Sequence, residues 1–589
     1  MLAAKDAKAT LEQCIDAARA SIANGNLLFA FDICERAIAT GRSGPRLHYL
    51  QVLALARMGD TDRAALIYDR SLRDQTDVDT LSLGARLKKD AAWAMSPTDR
   101  PAGLTDASHA YNAVFDRTGD PFPGINAASL AWLAGDVQRG EALARQVLYA
   151  LDASPGADYF AAATEAEAHL ILGDATAAAD AITRALGAPG GDQGARSSTY
   201  RQLARVSAAA GYNGATIEPL RPAEVLTYCG HMFLHDPVTE AALRAEIDAF
   251  LAAHQITIAY GALACGADIL VAEAVLARGG ELHVVLPYLA PDFVTYSVAP
   301  GGAEWVDRFD RCIRQASEVV IASETPSIGD DWQYAYGSML MMGYARLRAQ
   351  HLGTGARQLA IWDGVESAGE AGTAADVRKW RKHGGETYRI AFDRDARPRP
   401  TAPPPPPLDT ARCVRGIVFA DFAGFSKIAE TRLPQFWKLV LGRAAAVIDG
   451  FEDDVCSRNT WGDALYVVTR TARVAADLAL RLRDSVPKSD LDQFGEGAGM
   501  RISAHLGAVY RAADPITKLT TFFGREVNRA ARIEPIAPVG EVYVTQAFGA
   551  VLSMEALDRC GLSYVGRVPL AKNFGEEPMY RLTRNHDLD

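Results

Sequence analysis

The stretch IVFADFAGFSKI, residues 417–428, joins an apolar run to a single carboxylate. The residues IVFA have the apolar and β-branched character of a buried strand, and Asp421 follows them directly. Gly424 then marks a tight turn of small residues, whose backbone N–H groups can come close to a ligand. We therefore expect the strand to end at Asp421 and the carboxylate to face a ligand.

Two further stretches carry polar groups of matching chemistry. In NTWGDALYVV, residues 459–468, a Gly-Asp turn presents Asp463 before an apolar strand. Two turns that aim carboxylates at one place would form an oxygen-ligand site for two Mg²⁺ or Mn²⁺ ions. In FFGREVNRAARIEP, residues 522–535, Asn528 and Arg532 share one face of a predicted helix. Taken singly, such residues are more typical of an ordinary turn or a solvated helix face.

Taken together and in this order, these stretches resemble the class III nucleotide cyclase catalytic domain. The resemblance covers residues 412–582 and includes FADFAGFS, WGDA, the pattern G-x-x-V-N-x-A-A-R and a closing segment, PLAKNFGEEPMYRL. It implies a ferredoxin-like α/β domain that works as a head-to-tail dimer. It also implies conversion of a nucleoside triphosphate to a 3′,5′-cyclic monophosphate and pyrophosphate.

The resemblance assigns a role to each matching residue. Asp421 and Asp463 would hold two Mg²⁺ or Mn²⁺ ions, Asn528 would orient the ribose, Arg532 would neutralise the α-phosphate, and Lys572 would meet the distal phosphates. The triphosphate-binding loop would consist of Phe422, Ala423, Gly424, Phe425 and Ser426. In this family the acids and the Asn/Arg pair of one site come from opposite protomers. A homodimer of this chain would therefore hold two complete sites, and a monomer none.

Base selectivity falls on Asn459 and Thr521, the two positions with which the family reads the base. Adenylyl cyclases usually carry Lys and then Asp or Thr, whereas guanylyl cyclases carry Glu and then Cys or a similar small residue. Thr521 fits an adenylyl subgroup, but Asn459 fits neither pattern, and an amide can both donate and accept hydrogen bonds. We favour ATP as the substrate and keep GTP, CTP and UTP as alternatives.

Composition restricts the remaining possibilities. The chain has 589 residues, 49% of them hydrophobic and 23% charged, which indicates a globular protein of three or four domains. Its net charge of -11 argues against non-specific nucleic-acid binding. Eight cysteines without a C-x-x-C pair suit reduced thiols. Because neither a signal peptide nor an apolar run of about 18 residues is visible, we predict a cytoplasmic protein without a membrane span.

Residues 1–221 read as helical hairpins that repeat. The turn glycines Gly59, Gly135, Gly173 and Gly211 are separated by 76, 38 and 38 residues, and a degenerate copy turns near Ser96. A fixed period of this size indicates an α-solenoid, and the hairpins resemble tetratricopeptide repeats. The solenoid could bind a protein partner or another part of this chain, or could serve as a dimerisation or packing scaffold. A proline-rich segment, residues 397–409, is predicted to be a semi-rigid linker, with a docking motif as the alternative.

Residues 222–396 alternate strands and helices, a pattern that predicts a parallel sheet covered on both faces. The motifs GALACGAD and HVVLP resemble the SLOG and lysine-decarboxylase-like group of Rossmann-type domains. The resemblance implies a nucleotide sensor or a nucleotide-processing enzyme, and no G-x-G-x-x-G indicates a standard dinucleotide site. A candidate second nucleotide site comprises Gly230, Gly261, Gly266 and Asp268. His231 and His283 are expected to be structural.

The overall expectation is a multidomain α and α/β protein: an N-terminal α-solenoid, a central Rossmann-like parallel sheet and a C-terminal ferredoxin-like cyclase domain, residues 410–589. We expect a cyclase that the upstream domains regulate. A degenerate nucleotide-binding scaffold is the first alternative, and the intact acids and Asn/Arg pair argue against it. Enzymatic activity in the Rossmann-type domain is the second, and no pair of catalytic acids there has the spacing for such chemistry.

Overall fold

The computed structural model describes residues 9–153, 156–212, 214–324, 331–394, 400–404, 412–556, 559–573 and 575–585. The chain divides into two compact units. One consists of Met1–Pro222 with Gln350–Thr354, and the other of Ala223–Ala349 with Gly355–Asp589. Most of the predicted linker, residues 397–409, lies outside the described residues. No helix in the described ranges is both long and apolar enough to cross a membrane.

The first unit is helical, as predicted. Its helices are α1 (Leu11–Ala23), α2 (Leu27–Ala39), α3 (Pro45–Met58), α4 (Thr61–Ser71), α5 (Val78–Trp93), α6 (Arg100–Thr118), α7 (Pro121–Leu133), α8 (Val137–Ala153), α9 (Tyr159–Ile171), α10 (Ala175–Gly187) and α11 (Gln193–Ala210). Successive helices from α1 to α10 pack on one another. The predicted turn glycines Gly59, Gly135, Gly173 and Gly211 all have positive φ, which explains why glycine recurs there. The degenerate turn near Ser96 joins α5 to α6.

The second unit begins with a six-stranded sheet in which every pairing is parallel. Its strands are β1 (Val225–Gly230), β2 (Ile258–Gly261), β3 (Glu281–Leu286), β4 (Glu318–Ile321), β5 (Ala356–Trp362) and β6 (Thr387–Ala391), in the order β4-β3-β2-β1-β5-β6. Its helices are α12 (Pro237–Ala253), α13 (Ala267–Ala277), α14 (Ala290–Phe293), α15 (Ala303–Gln315), α16 (Asp331–Leu352) and α17 (Thr373–Lys382). The predicted parallel sheet is thus confirmed. We refer to this part of the unit as the middle domain.

The same unit ends with an eight-stranded mixed sheet. Its strands are β7 (Arg412–Ala423), β8 (Val455–Trp461), β9 (Ala464–Thr469), β10 (Gly499–Ala513), β11 (Thr520–Phe523), β12 (Val542–Thr545), β13 (Cys560–Pro569) and β14 (Glu576–Arg584). The order is β13-β14-β12-β10-β7-β9-β8, with β11 paired to β10. Its helices are α18 (Leu433–Phe436), α19 (Gly442–Asp449), α20 (Ala472–Asp484), α21 (Lys488–Leu491), α22 (Arg525–Ile533) and α23 (Gln546–Ala556). Only the β10–β12 pairing in this sheet is parallel among the described strands.

The expectation that a strand ends at Asp421 is corrected by the pairing of β7 with β10. The antiparallel ladder continues past Asp421, which lies opposite Arg501, to Ala423, which lies opposite Gly499. The strand extends because β10 offers ladder partners beyond the apolar run. Asp421 is therefore held inside a paired strand, which fixes its side chain more firmly than a loop would.

The turn glycines of the first unit allow a test of backbone strain alone. A β-carbon at Gly135 would meet no atom within 4 Å, and its φ is +99°, so Gly135→Ala adds strain without a clash. We expect it to lower the free energy of unfolding by about 1–2 kcal/mol, measured by urea denaturation. Gly187→Ala is the matched control, because its β-carbon also meets nothing within 4 Å and its φ is not positive. Equal stability of the two variants would contradict the left-handed backbone conformation of Gly135.

Candidate active site

Two carboxylates converge here, one on strand β7 and one in the turn between β8 and β9. Asp463 follows Gly462 in the turn between β8 and β9, and β9 pairs with β7 so that Leu465 lies opposite Ala420. This register brings the turn next to Asp421. The pKa of Asp463 is raised, first by burial and then by the negative charge of Asp421. The two acids that sequence motifs selected thus lie close enough to repel each other.

A guanidinium and a third carboxyl complete this cluster. Arg501, opposite Asp421 in the ladder, forms an ion pair with it, and its Nε lies 2.9 Å from the Glu534 Oε1. Burial and the charge of Asp421 raise the pKa of Glu534 to about 7. Sequence reasoning missed both residues. The only signal in the sequence was the isolated charge of Arg501 in the largely apolar strand GMRISAHLGAVY. Its partner, Asp421, is identified only by the register of the two strands.

The donor set suits divalent cations. Two carboxylates with free lone pairs and mutual repulsion gain from a bound cation, and hard oxygen ligands are the ones that Mg²⁺ and Mn²⁺ prefer. Within the described ranges no group of three or more His, Cys, Asp or Glu residues forms a complete metal-binding set. Asp421 and Asp463 can therefore supply part of a coordination shell, which leaves positions for oxygens of a ligand.

The loop after β7 is anchored by aromatic packing. The buried Phe422 ring lies 4.9 Å from the Phe436 ring and 6.0 Å from the Phe494 ring. Gly424 has a φ of +90° and leads into a 3₁₀ turn, Phe425–Lys427. Of the predicted loop residues, Phe422 thus serves the core, whereas Gly424 and Ser426 are exposed and Ala423 and Phe425 half-buried. The exposed part of the loop follows Asp421 directly.

The predicted Asn/Arg pair lies on α22. Asn528 is exposed and Arg532 half-buried, whereas Ala530 and Ile533 are buried on the opposite side of this amphipathic helix. Within the described chain, neither Asn528 nor Arg532 makes an ion pair or hydrogen bond with Asp421 or Asp463. The structure therefore brings the two acids together and leaves the Asn/Arg pair facing outward.

The two predicted base-reading positions lie on neighbouring strands. The exposed Asn459 is on β8, where its Oδ1 accepts a hydrogen bond from the Thr460 N–H at 2.8 Å. Thr521 is on β11, half-buried, and the Ser457 hydroxyl joins the strands by donating to the Thr520 carbonyl at 3.1 Å. Lys572 is exposed in a 3₁₀ turn, Ala571–Asn573, with a positive φ of 62°. That turn lies beside α22.

Three glycines of the candidate second site pack against the protein's own side chains. A β-carbon would lie 2.3 Å from the Ala267 β-carbon at Gly230 and 2.2 Å from the Tyr228 ring at Gly261. At Gly266 it would lie 2.6 Å from the Phe233 ring, and φ there is +94°. Internal packing thus accounts for glycine at all three positions without a ligand.

Several polar residues of the middle domain are buried, among them Asp268, His283 and Asp376. The Asp268 Oδ2 accepts a hydrogen bond from the Ala264 N–H at 3.2 Å, and burial raises the pKa of Asp268 to about 7. Burial likewise raises the pKa of Asp376 to about 6. The His231 Nε2 lies 3.2 Å from Asp363. His283 lies 3.3 Å from Glu281 and 3.4 Å from Glu318, an arrangement typical of a structural histidine.

The C-terminal and N-terminal segments match known families. Residues 410–582 match the family model of the Adenylate and Guanylate cyclase catalytic domain, and residues 26–131 match that of Tetratricopeptide Repeats-Sensor. Receptor-type adenylate cyclase ESAG 4 of Trypanosoma brucei brucei is 35% identical over 86 residues, which are 15% of this chain and 7% of that protein. The chain thus spans a small part of that relative's length. The predicted cyclase domain and tetratricopeptide-like repeats are confirmed at this level.

Solved cyclase structures are similar to about a third of the chain. The adenylyl cyclase CyaB of P. aeruginosa is 18% identical with a TM-score of 0.27, and the match covers 31% of this chain and 100% of that one. The guanylate cyclase domain of RhGC from Catenaria anguillulae, in complex with GTP, is 18% identical with a TM-score of 0.25. That match covers 29% of this chain and 97% of the other. At these values the solved structures add nothing to what the family models show.

The burial of Asp268 leads us to expect a lower free energy of unfolding at high pH. Folding raises its pKa from 3.8 to about 7, so the folded chain binds more protons and the free energy of unfolding falls between about pH 4 and pH 7. Asp268→Asn cannot ionise and keeps an acceptor for the Ala264 N–H. We expect it to exceed the wild type in stability at pH 8 by roughly 1–3 kcal/mol and to match it near pH 4.

Urea denaturation across this pH range measures the difference. The control is Asp310→Asn, which makes the same substitution at an exposed position on α15. A variant Asp268→Asn no more stable than the wild type at pH 8 would contradict the burial of a protonated carboxyl.

Proposed function

We propose that this protein is a nucleotide cyclase that converts a nucleoside triphosphate to a 3′,5′-cyclic monophosphate and pyrophosphate. The observation that carries the proposal is the convergence of Asp421 and Asp463 beside a loop with an exposed glycine, in a segment that matches the cyclase catalytic family. The chemistry needs a polyanionic substrate with a cation clamp, and this cluster supplies the carboxylates for the clamp.

Asp421 and Asp463 would hold Mg²⁺ or Mn²⁺, which when bound lowers the pKa of the ribose 3′-hydroxyl and neutralises triphosphate charge. The loop from Ala423 to Ser426 would offer backbone N–H groups to the phosphate oxygens. Arg501 would place a positive charge beside Asp421. Its contact with Glu534 would hold the plane of the guanidinium in an orientation that can bind a phosphate.

A second protomer would complete each site. Asn528 of the partner subunit would orient the ribose, and Arg532 of the partner subunit would neutralise charge that develops on the α-phosphate. Two observations support a head-to-tail homodimer. Asn528 is exposed and does not contact the acids of its own chain, and large apolar side chains are exposed around the site. These are Trp461 at the β8–β9 turn and Ile516, Leu519 and Phe523 around the β10–β11 connection.

For the substrate we propose ATP, with GTP, CTP and UTP as alternatives. The support is the chemistry of Thr521 and Asn459, since neither side chain carries a charge that would exclude adenine. We propose that the repeats and the middle domain regulate turnover, with a nucleotide at the middle domain and a protein partner at the repeats as candidate signals. The product would then act in signal transduction.

Mixing two inactive variants tests the shared site. Asp463→Asn and Arg532→Ala should each lower kcat at least ~100-fold, because one removes a metal ligand and the other a transition-state charge. Co-expressed in equal amounts they should recover roughly a quarter of wild-type activity, since about half of the dimers are mixed and each has one complete site. Asp453→Asn is the control for the first variant, because Asp453 is exposed ten residues earlier.

Absence of recovery on co-expression would contradict the head-to-tail arrangement. Substantial activity of Asp463→Asn alone would contradict the metal assignment instead. The two outcomes are separable because the second is measured on a single variant.

Substitution at Asn459 tests base reading. A carboxylate accepts hydrogen bonds from the N1–H and amino group of guanine, so Asn459→Glu should raise the kcat/KM ratio for GTP over ATP by about tenfold. Asn459→Lys can only donate and should shift the ratio toward ATP. Initial rates with ATP, GTP, CTP and UTP, each with Mn²⁺ and with Mg²⁺, give the ratios after chromatographic separation. Unchanged preference in both variants would show that Asn459 does not contact the base.

A further inference from the structure

Helix α16 follows the middle-domain strand β4 in the chain and packs against the cyclase sheet. Its buried Tyr336 donates a hydrogen bond from its hydroxyl to the Leu506 carbonyl of β10, at 3.1 Å. The Gly343 carbonyl accepts a hydrogen bond from the Ser553 hydroxyl of α23, also at 3.1 Å. A β-carbon at Gly343 would lie 2.1 Å from the Ala550 carbonyl oxygen. The two helices therefore touch backbone to backbone, which leaves little freedom to slide.

The same helix is fixed to the parallel sheet on its other side. The Gln333 Nε2 donates to the Pro287 carbonyl at 3.3 Å, and the hydroxyls of Tyr334 and Tyr288 lie 2.7 Å apart. Pro287 directly follows the end of β3, so these contacts lie at the carboxyl edge of the sheet. Parallel α/β sheets bind ligands at that edge. One turn of α16 thus contacts both sheets.

Tyr336 reaches β10 where that strand has no strand neighbour on one side. Pairing with β12 spans residues 502–504 and pairing with β11 spans residues 510–513, so the described strands leave residues 505–509 unpaired there. The catalytic-domain helix α22 packs on this stretch. The buried His505 links the two: its Nε2 lies 2.8 Å from Glu526 of α22 and its Nδ1 lies 2.9 Å from the Thr545 hydroxyl.

Close packing and charge hold α22 at this stretch. A β-carbon at Gly507 would lie 2.5 Å from the Glu526 Cγ, so only glycine leaves room for the Glu526 side chain. Arg529, one turn further along α22, binds Glu577 of β14 at 2.5 Å. The Tyr336 hydroxyl bonds to the carbonyl of Leu506, the residue next to His505, and burial followed by the charge of Glu526 raises the pKa of that hydroxyl. Arg525, the first residue of α22, also forms an ion pair with Glu324, just after β4.

The inner face of α22 is thereby fixed, and Asn528 and Arg532 lie on its outer face. We propose that Tyr336 is a positioning residue for the cyclase reaction: through Leu506 and the adjoining His505–Glu526 pair it sets the orientation of α22, so that the middle domain controls turnover. The inference rests on the proposed function, because α22 matters for turnover only if Asn528 and Arg532 act on the substrate. The middle domain is then a structural part of the active site and sets its geometry through α16.

Tyr336→Phe in the full-length chain is the test, because it removes one hydroxyl and keeps the ring. We expect kcat to fall about three- to tenfold, the effect of one buried hydrogen bond, with KM for the nucleoside triphosphate unchanged within about twofold. We also expect faster hydrogen–deuterium exchange in α22 and unchanged exchange in α19. Tyr388→Phe is the control, because Tyr388 is exposed on β6. A fall in stability alone would accelerate exchange in both helices equally.

Gly343→Ala tests the second contact of the same helix, with Gly187→Ala as its control. The added methyl group must push α16 away from α23, so we expect a larger loss of kcat and faster exchange in α22. The hydrogen–deuterium exchange measurement needs no turnover, so it separates the proposed cyclase activity from the positioning role of Tyr336. An inactive wild type contradicts the cyclase proposal, whereas exchange in α22 unchanged by Tyr336→Phe overturns the role of Tyr336.

Discussion

The antiparallel pairing of β7 with β10 is the constraint on which the site depends. Its register places Arg501 opposite Asp421 and His505 opposite Ile417. Because side chains alternate along a strand, these residues face the same side of the sheet, where α22 packs. A slip of one residue would turn Asp421 toward the opposite face and separate it from Arg501. The apolar residues of β7, including Ile417 and Phe419, therefore fix the site through register as well as through burial.

The charges around Asp421 also favour a cation site. Asp421, Asp463 and Glu534 are partly buried together with one guanidinium, and burial, followed by the negative charge of Asp421, raises the pKa of Asp463 and of Glu534. Like charges held close cost free energy unless a cation joins them. The divalent cations that the proposed reaction needs would relieve this repulsion.

Local sequence patterns predicted much of this architecture, and they fail where contacts are long-range. A few neighbouring residues were enough to predict the turn glycines, the alternation of strands and helices, and the two acid-bearing motifs. Arg501 and Tyr336 were not predicted, because their partners lie 80 and 170 residues away and become visible only through register and packing. Gly230, Gly261 and Gly266, which stay a predicted site, show a different difficulty. A glycine pattern typical of phosphate binding is also produced by tight internal packing, and sequence alone does not distinguish the two.

The proline-rich sequence suggests that the cyclase domain is joined to the rest of the chain only by a linker. The packing of α16 against the cyclase sheet argues instead that the middle domain and the cyclase domain form one structural unit. A tether transmits little, because a spacer restrains only the distance between its ends. Backbone contact between Gly343 and Ala550, with hydrogen bonds at Tyr336 and Ser553, restrains orientation as well. A signal that moved the carboxyl edge of the parallel sheet would therefore reach α22 through α16 and not through the linker. In the regulation that we propose, the orientation of this shared helix sets turnover, and the proline-rich segment would need only enough length to permit that orientation.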